Sequence, residues 1–310
     1  MLYIDEFQIS IAATYDKWID RMQEALSALH DGSVTVPKRT HVEMGEDALV
    51  IMPAIGPDYF STKLLTFYPK NLYEKKPSIY ATLVLNDRNT GEPLAIMDGS
   101  KITAMRTAAV SGIGIRYLAH EKASSVGIIG AGVQGFHQAI FACSQREITK
   151  LYVCDIRNEL QGRFCSELRK IYPRIRIAPA LDAGDLCEKS DIIITATNSA
   201  TPVIPPEKSC LEGKTIIAIG SYKKNMRELP DEIFSLVDHV FIDSIHGLSE
   251  SGDLIYPLKN GLIKEESICS LNSIVTGEVR TNSKTRLLKT VGNAAFDLYS
   301  AILVYLAAKK

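Results

Sequence analysis

Three cations stand in apolar or small-residue surroundings in the first third of the chain. Arg39 lies in VPKRTHVEM, Lys63 is the only charge in FSTKLLTFYP, and Arg106 sits inside TAMRTAAVS. A planar guanidinium can bind a carboxylate through two parallel hydrogen bonds, and an ammonium adds a point charge. Together the three predict a clamp for a small carboxylate. Each also has a plainer reading on its own. A lysine flanked by Leu64 and Leu65 can guard a strand edge, and an arginine among alanines can serve a single ion pair.

A second chemistry is written in Gly130-Ala131-Gly132-Val133-Gln134-Gly135, a G-x-G-x-x-G string. The apolar run VGII precedes it and FHQAIFACS, of helical character, follows. In that setting the first glycine permits a tight turn and the second lets a pyrophosphate approach the backbone. The third lets the helix sit on the strand with its positive end at the phosphates. The next strand ends at Asp155, 20 residues after Gly135, where a carboxylate can accept the adenosine ribose hydroxyls. A plain glycine turn with a capping aspartate is the alternative. Asp155 favours NAD(H), because it would repel a 2′-phosphate. Arg157 is able to hold such a phosphate, which leaves NADP(H) open, or it is simply a solvated loop charge.

These residues need elements to position them. The chain has 310 residues, 46% hydrophobic and 23% charged, which fits a globular protein of two domains. Net charge is −1 with no long basic or acidic run, so neither a nucleic acid nor a membrane surface is indicated as partner. MLYIDEFQIS lacks the basic end and apolar core of a signal peptide, and AILVYLAA is too short to span a bilayer. The six cysteines form no C-x-x-C, and the six histidines show no metal-binding spacing. Reduced thiols, no metal and a cytoplasmic location are expected.

Residues 15–31 have helical spacing, ended by Gly32. ALVIMPAIG, STKLLTFYP and IYATLVLND predict a mostly antiparallel sheet, and residues 100–119 a helix packed closely through Gly112 and Gly114. From residue 124 strands alternate with helices, which means βαβ units and a parallel sheet. TRLLKTVGNAAFDLYSAILVYLAAKK reads as one long helix that returns to the first domain.

The chain resembles the ornithine cyclodeaminase/μ-crystallin family over nearly its whole length. The resemblance rests on PKR at residue 39, STKLLTFYPKN, MDGSKITAMRTAA, GIIGAGVQG, TATNSATPV, the REL of GSYKKNMREL, ESGDL and KTVGNAAFDL, in this order. It implies an α/β fold: a Rossmann NAD(P)-binding domain at 119–289, and an α+β substrate and dimerisation domain at 1–118. A C-terminal helix at 290–310 would complete the latter, in a homodimer. It also implies roles. Arg39 and Lys63 would grip a substrate carboxylate, with Tyr222 and Val291 near the substrate. Ser78, Arg106, Thr107, Gly130, Gly132, Val133, Gln134, Gly135, Asp155, Arg157, Thr195, Gly220, Ser221, Tyr222 and Thr290 would line the cofactor.

The family includes cyclodeaminases, alanine dehydrogenases, cyclic ketimine reductases, opine-type synthases and a lens crystallin that binds thyroid hormone. Cyclodeaminases carry an aspartate in the turn after the strand that corresponds to KTIIAIG. Counting back from Glu228-Leu229, that place is Tyr222 here. The turn thus offers a phenol and the Ser221 hydroxyl but no carboxylate, and a phenol with a pKa near ~10 is a poor base at neutral pH. Tyr222 packed inward without a role is the alternative. The expectation is an NAD(P)H-dependent reductase of a small cyclic α-imino acid, of the Δ1-pyrroline-2-carboxylate type, with Lys63 or a held water as proton donor. Ornithine cyclodeamination, an alanine or opine-type dehydrogenase, and a non-catalytic binding protein are the alternatives.

Overall fold

The computed structural model describes residues 1–74 and 76–310, with Leu72 described in its backbone alone. The chain divides into two units, Met1–Thr107 with Asn293–Lys310, and Ala108–Gly292.

The first unit contains β1 (Leu2–Ile4), α1 (Glu6–Ile11), α2 (Tyr15–His30), β2 (Thr40–Met44), β3 (Asp47–Ile55), β4 (Tyr59–Phe67), β5 (Ile79–Asp87) and β6 (Pro93–Asp98). Helix α3 (Gly99–Leu118) begins in it. The six strands form one sheet in the order β1-β6-β5-β4-β3-β2, antiparallel except where β1 runs parallel to β6. Side chains alternate between its faces, and Val50, Met52 and Ala54 of β3 point to the buried one. Register places Met52 opposite Lys63, Lys63 opposite Leu83, and Leu83 opposite Met97. Lys63 therefore stands in a core row of an interior strand. That rules out the edge-guard reading.

The second unit contains β7 (Ser125–Ile129), α4 (Val133–Gln145), β8 (Lys150–Cys154), α5 (Asn158–Ile171), β9 (Arg176–Pro179), α6 (Ala183–Glu188) and β10 (Ile192–Thr195). It continues with α7 (Lys208–Leu211), β11 (Thr215–Ala218), β12 (Val240–Ile242), α8 (Gly247–Glu250), α9 (Gly252–Lys259), β13 (Ile268–Ser270), α10 (Leu271–Thr276) and β14 (Arg286–Lys289). All eight strands are parallel, in the order β13-β12-β14-β11-β10-β7-β8-β9. The strand order reverses direction between β7 and β10, which is where an open α/β sheet leaves its ligand crevice. The glycine turn leaves β7 at that place.

Two expectations are corrected. Residues 285–310 are not one helix. RLLK is strand β14, inserted between β11 and β12, and helix α11 (Ala294–Ala308) starts only after a break. Gly292 sets that break with φ at 81°, and the Asn293 side chain caps α11 by accepting from Ala295 N–H. The unit boundary falls at Thr107/Ala108 rather than at residue 118. The later turns of α3 pack on the parallel sheet: a Cβ on Gly114 would meet Leu288 Cδ2 at 2.4 Å. Helix α11 belongs to the first unit, where it packs on α2, β3 and β4. Among the described residues no helix is long and apolar enough to cross a membrane.

Candidate functional site

In the first unit Lys63 is only 1% exposed, and its Nζ lies 2.7 Å from Asp297 Oδ2 and 3.3 Å from Thr103 Oγ1, which accepts from it. Arg106, also buried, brings its Nε to 3.3 Å from the other Asp297 oxygen, Oδ1. The ion-pair reading of Arg106 is thus present, with α11 supplying the acid. Burial pushes the Lys63 ammonium down to about 8; Asp297 works against that, while the charges of Arg106 and Arg39 add to it. Arg39, ahead of β2, is half-buried and near enough for its charge to be felt at Lys63. Two buried cations, Lys63 and Arg106, face the single carboxylate of Asp297. Such a cluster suits an added anion, because buried charge is costly unless it is paired. Ser78, half-buried, accepts the Tyr68 N–H through its carbonyl, and Thr107 is buried at the end of this unit.

In the second unit Gly130 adopts φ 107°, a left-handed conformation that a side chain would resist. A Cβ on Gly135 would lie 2.0 Å from the Gly130 carbonyl oxygen, so α4 can start against the turn only because residue 135 is glycine. Gly132 is the N-cap of α4, with no side-chain cap and open space beside it. The first-turn N–H groups are consequently available for an anion. Val133 is 69% exposed, and the buried Gln134 Oε1 has no hydrogen-bond partner among the described residues. Asp155 Oδ2 accepts the Ala131 N–H at 2.8 Å, and Oδ1 accepts the Arg157 N–H at 2.9 Å. Arg157 Nε stands 3.6 Å from that carboxylate on a side chain 54% exposed. This set fits a dinucleotide: an uncapped helix start for the pyrophosphate, an orphaned amide oxygen, and an acid tied to the turn.

A buried acid that sequence reasoning used only as a counting mark organises the ends of β10 and β11. Glu228, fully buried, accepts the Thr195 hydroxyl at 2.9 Å and the Gly220 N–H at 2.6 Å on one oxygen. Its other oxygen accepts the Thr197 N–H at 2.7 Å and hydroxyl at 2.8 Å. Burial raises its pKa, and Lys289 opposes the rise. Below it, Asp253 Oδ1 accepts the N–H groups of Glu228 and Leu229, and Oδ2 lies 3.5 Å from Lys289 Nζ.

Ser221 requires a correction. Its hydroxyl does not face outward; it donates to the Met226 carbonyl at 2.6 Å and pairs with Ser251 Oγ at 2.9 Å, fully buried. Tyr222 is 39% exposed, its ring lies under Lys223 Nζ, and burial raises its phenol pKa further. The inward-packed reading therefore fails, and the turn presents a protonated phenol. Thr290 is buried, its N–H donating to the Ala218 carbonyl; Val291 is half-buried, its N–H donating to Asp243 Oδ1 at 2.9 Å.

Asp297 was missed, although a signal existed: it is the sole charge in the fifteen residues of α11. Asp253 and Lys289, like Asp297, lie within motifs quoted above but had no role assigned.

The chain is 32% identical over 272 residues to the Δ1-pyrroline-2-carboxylate reductase of Bacillus cereus, a match covering 84% of this chain and 81% of that protein. It is 33% identical over 282 residues to the ketimine reductase mu-crystallin of Rattus norvegicus, covering 89% and 86%. The structure of Thermococcus litoralis Δ1-pyrroline-2-carboxylate reductase in complex with NADH and L-proline matches with a TM-score of 0.93 and 35% identity, over 100% of this chain and 98% of that one. The family pattern of the ornithine cyclodeaminase/mu-crystallin family matches residues 4–310, and the chain belongs to that family.

Proposed function

We propose that this protein is an NADH-dependent reductase of a small cyclic α-imino acid, converting a Δ1-pyrroline-2-carboxylate-type substrate to the cyclic amino acid. The observation that carries the reading is the buried Lys63–Asp297–Arg106 cluster with Arg39 beside it, a cationic site fitted to a carboxylate. The names of the Bacillus cereus and Thermococcus litoralis proteins support the substrate, and the NADH in the latter supports the cofactor.

The glycine turn and the first-turn N–H groups of α4 would hold the pyrophosphate of a reduced dinucleotide, which would supply the hydride. The chain's own residues do the rest. Arg39 takes the substrate carboxylate through two parallel N–H bonds of its guanidinium and so fixes which face of the C=N bond is presented. Lys63, at about 8, is still largely protonated at neutral pH and donates a proton toward the imine nitrogen, which completes the reduction to an amine. Tyr222, held protonated, offers no base for a side-chain amine, which speaks against ornithine cyclodeamination. Asp155 favours NADH over NADPH. The exposed apolar Val42, Met44, Leu64, Ile79 and Tyr80 of the first unit support a homodimer. The six cysteines, none of them in a disulfide, support a cytoplasmic location.

The clamp is tested by Arg39→Lys. It keeps the charge and loses the fork, so kcat/KM for the imino acid falls roughly tenfold or more while NADH affinity stays intact. Loss of NADH affinity with unchanged substrate constants contradicts the assignment.

A further inference from the structure

We infer that Asp297 is a positioning residue of the reaction, through which the C-terminal helix α11 aims the Lys63 ammonium, its carboxylate being shared between Lys63 and Arg106. The inference rests on the imine-reductase reading for its chemistry, but its structural part stands alone. Three elements distant in sequence meet in it: β4 brings Lys63, α3 brings Arg106 and α11 brings Asp297. Asp297 engages the two cations through different oxygens, Oδ2 to Lys63 at 2.7 Å and Oδ1 to Arg106 at 3.3 Å, with no side chain of the three more than 8% exposed.

Stability alone does not account for this arrangement. A buried ion pair roughly breaks even against apolar residues of similar volume, because desolvation offsets the attraction. The row that holds Lys63 is otherwise Met52, Leu83 and Met97, so an apolar residue would fit it. The triad also keeps a net +1, which no purely structural pair requires. A group that must hold its proton while surrounded by apolar side chains needs a fixed counter-charge, and Asp297 is that charge. The charged groups facing Lys63 are Asp297 of α11, Arg106 of α3 and Arg39 ahead of β2. Of these, Asp297 favours the ammonium and both arginines oppose it. Thr103 of α3 fixes direction, accepting from Lys63 and donating to the Gly99 carbonyl.

The test is NMR titration of the full-length protein labelled with 13C at lysine Cε, the Lys63 signal being assigned by its loss in Lys63→Met. Titration of wild type should show a midpoint near 8. Asp297→Asn should lower that midpoint by roughly 1–3 pH units, the usual effect of an opposite charge at this range, and Asp297→Glu should restore part of it. Arg106→Met should raise it, because a like charge is removed. That opposite sign keeps the inference falsifiable even where Asp297→Asn does not fold. In kinetics, Asp297→Asn should move the basic limb of kcat/KM for the imino acid downward with NADH affinity unchanged. A Lys63 midpoint unmoved by Asp297→Asn or by Arg106→Met overturns the inference. Wild-type protein that reduces no cyclic imine, yet shows the NMR shifts, overturns the functional reading instead and leaves the coupling of Asp297 to Lys63 standing.

Discussion

Glu228 Oε2 accepts the Gly220 N–H at 2.6 Å, and so binds the turn after β11 to an acid buried beneath it. The same carboxylate holds Thr195 and Thr197 at the end of β10. Two adjacent crevice-forming loops therefore share one anchor. Glu228→Gln replaces an acceptor with a group that also donates, so at least one of these donors loses its partner in a dry site. The cost is about 1–3 kcal/mol per unsatisfied group, a fall in Tm on the order of several degrees. NADH affinity should drop with it. Calorimetry of the variant checks this; an unchanged Tm would mean that the loops do not depend on Glu228.

Asp155 is tied to the glycine turn through Ala131 N–H and has Arg157 beside it. Asp155→Ala removes an acceptor for ribose hydroxyls and also a charge that repels a 2′-phosphate. NADH affinity should fall more than NADPH affinity, and titration calorimetry with both cofactors reads the ratio. A ratio equal to that of wild type contradicts the cofactor assignment.

Lys63 sets the expected pH dependence. Its folded-state pKa, about 8, lies below the ordinary 10.5 because burial and two arginines outweigh Asp297. Imine reduction needs the ammonium, so kcat/KM should fall as pH rises through about 8. The reverse oxidation of the cyclic amino acid needs the free amine and should rise through the same value. Stability moves the other way from reduction. Between about 8 and 10.5 the unfolded chain holds more protons than the folded one, so the cost of burying this lysine is relieved as pH rises. Rate profiles in both directions check the assignment, and Lys63→Met should abolish the limb near 8.

Much of this was legible in sequence wherever a local pattern carried the physics. The glycine string with its distal Asp155 announced itself, because strand, turn and helix are contiguous there. Lys63 stood out because it is a charge in an apolar strand. What remained hidden depended on pairing across the chain. Strand β14 reads RLLK, four residues with two cations, and only its insertion between β11 and β12 buries it. Its neighbour α11 is strongly apolar, so the two merged into one helix until Gly292 and Asn293 were seen to break them. Ser221 looked like a ligand group because its partners, Ser251 and the Met226 carbonyl, belong to segments whose approach only the tertiary fold reveals.

The most direct measurement is the yield of proline per NADH consumed when the purified protein is given Δ1-pyrroline-2-carboxylate. On the proposed reading Arg39 holds the carboxylate and Lys63 gives the proton, while position 222 offers a phenol held protonated in place of a carboxylate. The account predicts one proline per NADH, and little or no ammonia when ornithine and NAD replace the imine and NADH. Robust ammonia release from ornithine, with no NADH consumed on the imine, would contradict it.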